Sequence, residues 1–353
     1  MPAFDTDGNL YFGAHDGCFY SLDAAGRLRW MFKTGNKMYA SPVVDGGYVF
    51  FTSGDGHLFC FDLQGNCQWS YALSEYFKKI EDRIRRKLSL LYTKRFAYDP
   101  DRRKHWTVKC WSSPNIGPDG TVYITALGIG LHAVRARDGK CIWQYDLGAP
   151  RHHLSGVALN PAGDIFVASQ RRRLHCLGSD GTKKWSYDTG CGFDTWGNPS
   201  LDLDHDIVFF PMTQRERNGR LFALNFQGKK KWEAVIDGGI RGSAALSYRN
   251  YVAVAGLSGR LYFLDKHSGR LMKKIRLTDA RRGMWTTPAI DPDGHILITT
   301  KDSRYSGSLC CLSPDGDRLW RIELGKALAT PVIDANGRLY VGSWDGAMHC
   351  YQT

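Results

Sequence analysis

Along most of the chain, apolar and polar positions alternate in short runs that are broken by D-G and N-G pairs. Alternation at period two predicts β-strands, and D-G or N-G between two such runs predicts a tight hairpin. Two stretches show the unit most clearly: "SPVVDGGYVFFTSGDGHLFCFDLQGNCQW" from Ser41 and "TPVIDANGRLYVGSWDGAMHCY" from Thr330. Each contains an opening P-x-[IV], a turn, a strand, a glycine turn and a second strand, and in the first of them a glycine and a tryptophan follow. The unit is thus a four-stranded meander, with strands a to d.

The same text recurs, which makes this a repeat protein. G-x-x-x-W occurs at Gly26/Trp30, Gly65/Trp69, Gly139/Trp143, Gly181/Trp185, Gly228/Trp232 and Gly316/Trp320, and a degenerate copy, "GRLMK", puts Lys273 in the tryptophan slot. Successive slots lie 39, 74, 42, 47, 41 and 47 residues apart. Counting a-to-c strands gives eight units, starting near Pro2, Pro42, Pro114, Val157, Pro199, Ala245, Pro288 and Pro331, the last without a d strand. One such sheet cannot bury both its faces alone, so copies pack face to face and close radially. The expected fold is all-β, a single β-propeller over residues 1–353 with eight blades, or seven as the fallback. The slot tryptophans are expected to pack on the neighbouring blade.

These units resemble the pyrroloquinoline-quinone-type (PQQ-like) propeller repeat, whose tryptophan-docking signature is D-x-x-x-G-x-x-x-W, over nearly the whole chain. The family includes quinoprotein dehydrogenases and a non-enzymatic outer-membrane barrel-assembly lipoprotein. The resemblance implies the fold and little about function. Quinoprotein dehydrogenases are much longer, and they carry a vicinal disulfide in a loop over the cofactor together with calcium ligands. "LCCL" (Cys310, Cys311) lies in a predicted strand, where neighbours point to opposite faces, and no acidic cluster suits calcium. Neither PQQ nor calcium is expected, and no metal site.

The long interval marks an insertion at 73–110, in which Phe77, Ile80, Ile84, Leu88 and Leu91 fall on one helical stripe behind a Ser74 N-cap. It enters a d-to-a connection, on the same face as the expanded b-to-c turns "MTQRERNG" and "KDSRYSG". A lid over the propeller mouth is the sharp reading; a partner dock or an inert rim decoration is the plain one.

Aligning the segments before each a strand gives two columns. Three residues before the slot stand Tyr39, Trp111, Leu154, Trp196, Gly242, Trp285 and Leu328; five before it stand Lys37, Lys109, His152, Asp194, Ile240, Gly283 and Lys326. His153 and Arg241 lie between the columns. An aromatic-walled funnel with Lys37, Lys109, Lys326, Arg241 and Arg282 near its rim would suit a small anionic or aromatic ligand. His152, His153 and Asp194, from adjacent blades, are candidates for general-base chemistry. Alternatively the aromatics plug the channel. Only one of the neighbouring columns can point inward, and the pattern does not say which.

Composition narrows the field. A net charge of +12 comes in short runs such as "RIRRK", "QRRRL" and "GKKKW", which solvate a surface and guard strand edges. No recognition helix or RNA-binding signature accompanies them, so nucleic acid is not expected as a partner. No run of eighteen apolar residues occurs and the first residues carry no secretory pattern; the expected protein is soluble and cytoplasmic. The ten cysteines lack zinc or haem spacing and are expected to be reduced core residues. The expectation is a soluble propeller binding a small anionic or aromatic molecule in a lidded funnel, with acid–base catalysis open. The alternatives are a protein-interaction scaffold and, remotely, a quinone-dependent dehydrogenase.

Overall fold

The computed structural model describes residues 1–73, 110, 112–126, 130–147, 154–169, 172–190, 195–214, 218–280, 283–325, 329–343 and 346–352. The chain is an eight-bladed β-propeller. Among the described residues there are seven antiparallel sheets of four strands and an eighth of three, each connected as a meander. The eighth blade has Val332–Ile333, Arg338–Gly342 and Met348–Gln352 and, as expected, no fourth strand. The expected helical insertion at 73–110 lies, apart from its two end residues, outside the described residues.

By its contacts the chain divides into two compact units, one of Met1–Phe4 with His153–Thr353 and one of Asp5–His152. Within the larger unit, each apolar cluster joins the facing sides of two successive blades. Phe166, Cys176, Phe210 and Phe222 pack between blades four and five. Phe209, Ala223, Val252 and Tyr262 do so between five and six, Ala253, Phe263, Ile298 and Cys310 between six and seven, and Leu297, Cys311, Leu339 and Val341 between seven and eight. In the smaller unit, Phe19, Phe51 and Phe59 join blades one and two, and Phe50, Cys60, Val122 and Val134 join two and three.

This layering departs from the period-two expectation for a physical reason. Second and third strands are buried on both faces, as in Tyr251–Gly256, so they read as continuous apolar runs. Alternation is clearest on outer fourth strands such as Lys183–Asp188.

Four slot tryptophans tie their blade to the next. Trp30 Nε1 donates to Leu63 O at 3.0 Å, Trp69 to Ala136 O at 2.7 Å, Trp185 to Phe226 O at 2.8 Å and Trp232 to Lys266 O at 2.9 Å. Each indole lies on the glycine of the following motif. A Cβ added at Gly269 would sit 2.5 Å from the Trp232 ring, and its φ of +70° independently requires glycine. In the degenerate copy Lys273 keeps the donor role, its Nζ reaching Asp315 O at 2.6 Å.

Each unit shows that d-to-a connections and b-to-c turns share one face. Gly54 N–H donates to Lys37 O in the smaller unit; in the larger one Leu257 donates to Gly239 O and Lys301 to Gly283 O.

Candidate functional site

The segments leading into the a strands form an ordered device in the larger unit. In or just before the a strand, a backbone N–H donates to a polar side chain of the next blade. Gly156 donates to Asn198 Oδ1 at 2.7 Å, Asn198 to Ser243 Oγ at 2.8 Å, Ser243 to Thr287 Oγ1 at 2.8 Å and Thr287 to Thr330 Oγ1 at 3.2 Å. In the smaller unit Ser41 donates to Ser113 Oγ at 2.9 Å.

This belt corrects the alignment of the sixth blade by one residue. Ser243 occupies the position of Asn198 and Thr287, so the slot is Ala244, not Ala245. The pairing agrees: Ala245 faces Ala253 and Leu246 faces Val252, as Ala289 faces Leu297 and Ile290 faces Ile296. Arg241 therefore stands in the column of Trp196 and Trp285, and Gly242 belongs to the next column.

That next column is small because blades meet there. A Cβ on Gly197 would lie 2.4 Å from Gly242 O, and one on Gly242 would lie 2.4 Å from Thr286 O. On the other side, Thr195, Ile240 and Met284 are all 1 % exposed or less. Between these packed columns, Trp196, Arg241 and Trp285 are each more exposed than both their chain neighbours.

The Arg241 side chain lies over both rings. The Arg241 guanidinium carbon lies 4.4 Å from the Trp196 ring centroid and 4.3 Å from that of Trp285, well inside the range of cation–π attraction. Trp196 remains 37 % exposed, and Arg241 and Trp285 are half-buried.

Of the other residues singled out from the sequence, Lys37 and Tyr39 are exposed and belong to the smaller unit. There Tyr39 meets His15 at a ring distance of 4.7 Å, and burial, with the nearby charge of Lys37, lowers the His15 pKa. His152, His153, Asp194, Lys109, Trp111, Arg282 and Lys326 lie outside the described residues. The arginine in the ladder was legible in one respect that the proline slot hid: Ser41, Ser113, Asn198, Thr287 and Thr330 all precede a proline, and Ser243 fits that polar column.

Cys310 and Cys311 are free thiols on one strand, each packed in a different inter-blade core. They do not supply the vicinal disulfide of the dehydrogenases. The reading of all cysteines as core residues needs correction, since Cys67, Cys141 and Cys350 are exposed, the first two on outer fourth strands. Among the described residues, Asp291, Asp293 and His295 bring potential metal ligands within 4.8 Å of one another. Asp291 is occupied as a turn cap, accepting from the His295 N–H at 2.7 Å and contacting its Nδ1 at 2.8 Å.

A second charged cluster is structural. Lys266 and Asp202, both buried, pair at 3.2 Å, and His205 Nδ1 meets the same carboxylate at 3.0 Å. Burial alone would raise the Asp202 pKa; the hydrogen bonds from Lys266 and His205 outweigh it and hold the carboxyl below its ordinary value. This pair fastens the a-to-b turn of blade five to the third strand's end in blade six.

The family model described as "Outer membrane protein assembly factor BamB" matches residues 1–153 and 130–303. None of the curated proteins matches the chain. BamB from Moraxella catarrhalis is similar in structure, with a TM-score of 0.75, 15 % identity, and coverage of 100 % of this chain and 96 % of that one. A europium-containing methanol dehydrogenase superposes with a TM-score of 0.63 at 12 % identity, covering 85 % of this chain and 72 % of that one. A quinohemoprotein alcohol dehydrogenase from Pseudomonas putida HK5 gives 0.62 at 13 %, with 83 % and 60 % covered. At these identities the superpositions establish the fold alone.

Proposed function

The chain belongs to the PQQ-like propeller family of the outer membrane protein assembly factor BamB, and we propose that it is a binding propeller that takes a small anionic or aromatic molecule at Trp196, Arg241 and Trp285. The observation that carries this reading is a cation within 4.4 Å of the centroids of two indole rings, one of which keeps over a third of its surface in solvent. An inert core would have buried Trp196, because an exposed indole forgoes much of the roughly 1.5–3 kcal/mol that burying a large apolar side chain provides. A flat aromatic ring can lie on an indole face, and an anion is drawn to a guanidinium.

Titration calorimetry on the full chain tests it, with aromatic acids and phosphorylated metabolites as probes. Trp196→Ala removes an exposed ring, so the melting temperature should hold while affinity falls at least about tenfold. Equal affinity in wild type and Trp196→Ala would refute the reading.

A second reading is a protein-assembly scaffold, favoured by the family description and by the match to BamB along the length of both chains. It expects charge reversal at Arg83, Arg85 and Arg86 to abolish association with a partner protein and Trp196→Ala to leave it intact. Bound-cofactor absorbance or dye reduction after adding quinone and calcium would instead favour the dehydrogenase alternative.

A further inference from the structure

We propose that the outer edge of the eighth blade is a docking site for an extended segment of a partner protein, which pairs with Met348–Gln352 as a fourth strand and sets a tryptophan opposite Cys350. This surface is distinct from Trp196, Arg241 and Trp285, and the proposal stands independently of the binding reading above. Exposure is its first support. In seven sheets a fourth strand covers the third, whereas among the described residues the eighth sheet ends at Met348–Gln352. Four of the five residues of Arg173–Leu177, the third strand of blade four, are buried, and none of Met348–Gln352 is. Cys350 faces Tyr340 as Cys176 faces Phe166 and Cys311 faces Leu297, so the three cysteines hold one position in their blades. Cys176 and Cys311 are buried and Cys350 is exposed.

The chemistry of the edge is the second support. A strand edge offers rows of N–H and C=O groups, and proteins guard such edges with charge or proline. In the larger unit the fourth strands of blades four to seven all carry charge: "KKWSYD", "KKWEAVID", "LMKKIR" and "RLWRIELG". The outermost strand of the eighth blade reads "MHCYQ", with no lysine, arginine, aspartate, glutamate or proline. It is a long edge without the usual protection.

Third, the pairing in the other blades states what fits there. Cys176 faces Trp185 and Cys311 faces Trp320. Two residues further along those fourth strands, Tyr187 faces Leu174 and Ile322 faces Leu309, and these leucines hold the position of Met348. A segment that pairs antiparallel with Met348–Gln352 in the same register therefore carries an indole opposite Cys350 and, two residues on, an aromatic or aliphatic side chain opposite Met348. Main-chain hydrogen bonds supply affinity and the two side chains supply selectivity, as in other strand additions to an open sheet edge.

The probe is a labelled synthetic peptide with the sequence of Gly181–Asp188, "GTKKWSYD", titrated into the full chain and followed by fluorescence anisotropy. It should bind at least about tenfold more tightly than the same peptide with alanine in place of its tryptophan and tyrosine. Cys350→Asp puts a charge at an exposed position, so the melting temperature should hold while peptide affinity falls by a similar factor. Register is read with a peptide carrying cysteine in place of its tryptophan. Opposed Cα atoms of an antiparallel pair lie about 4.5–5.5 Å apart, within disulfide reach, so oxidation with diamide should join this peptide to Cys350 in preference to the exposed Cys67 and Cys141. A peptide with its cysteine one position earlier points that side chain to the other face and should cross-link poorly. Equal binding of the alanine peptide, Cys350→Asp binding as wild type does, or cross-linking that ignores register or falls equally on Cys67 and Cys141 overturns the proposal. Sedimentation of the chain alone separates the source of the strand. A monomer that binds the peptide supports a partner protein; a concentration-dependent dimer abolished by Cys350→Asp assigns the strand to a second copy of this chain and overturns the partner assignment.

Discussion

Gly242→Ala probes the close approach that holds the ladder. A methyl group there would lie 2.4 Å from Thr286 O, 2.5 Å from its carbonyl carbon and 2.7 Å from Thr287 N, all backbone atoms. Ordinary contact with a carbonyl oxygen is above 3.4 Å, so the start of the seventh blade's a strand must move by about 1 Å. Over-packing of this kind costs about 1–3 kcal/mol, and because no flexible side chain can yield, the upper end applies. With an unfolding entropy of about 2.1 cal/mol/K per residue over 353 residues, about 3 kcal/mol lowers the melting temperature by about 4 °C. Gly342→Ala is the control: its nearest atoms would be Ala329 Cβ at 3.8 Å and Met348 Cε at 3.9 Å, so it should be neutral or stabilising by up to about 1 kcal/mol. Scanning calorimetry and urea unfolding of both variants decide the matter. A Gly242→Ala protein within about 0.5 kcal/mol of wild type would show that the inter-blade approach does not constrain the ladder.

Three further outcomes follow from packing and charge. Trp232→Ala should cost about 3–5 kcal/mol, read by urea unfolding, because it empties the Gly269 seat and leaves Lys266 O without its donor. Asp202→Asn should cost about 3–5 kcal/mol, since it strands the buried Lys266 ammonium, whereas replacing both partners by apolar residues of similar size should be nearly neutral. His132 and His175 are buried, and desolvation pulls each pKa from 6.5 to about 4; the unfolded chain then binds protons first as pH falls. Their contribution is complete above about pH 6.5 and is lost progressively down to about pH 4, by about 3 kcal/mol each at most, and His175→Gln should flatten that slope in unfolding curves taken across this window.

The propeller was legible because its repeat is written twice, once in hairpin glycines and once in G-x-x-x-W. Each motif answers a local physical need, as the indole of Trp232 over Gly269 shows. That d-to-a connections and b-to-c turns share a face was legible too. The ladder was only partly so. Trp196 and Trp285 announced themselves beside Pro199 and Pro288, but the sixth blade reads "GGIRGSAAL", with no proline to fix the slot. The one-residue ambiguity moved Arg241 out of its column and put Gly242 there, and period two makes such a slip reverse every side chain. What resolves it is a hydrogen bond from Asn198 to Ser243 across blades, which local sequence does not encode.

A crystal structure of the protein soaked with benzoate would show whether Trp196, Arg241 and Trp285 form a binding site. Benzoate should lie against the Trp196 and Trp285 rings beside the Arg241 side chain. Benzoate bound elsewhere on the protein, with the ladder empty, would contradict it.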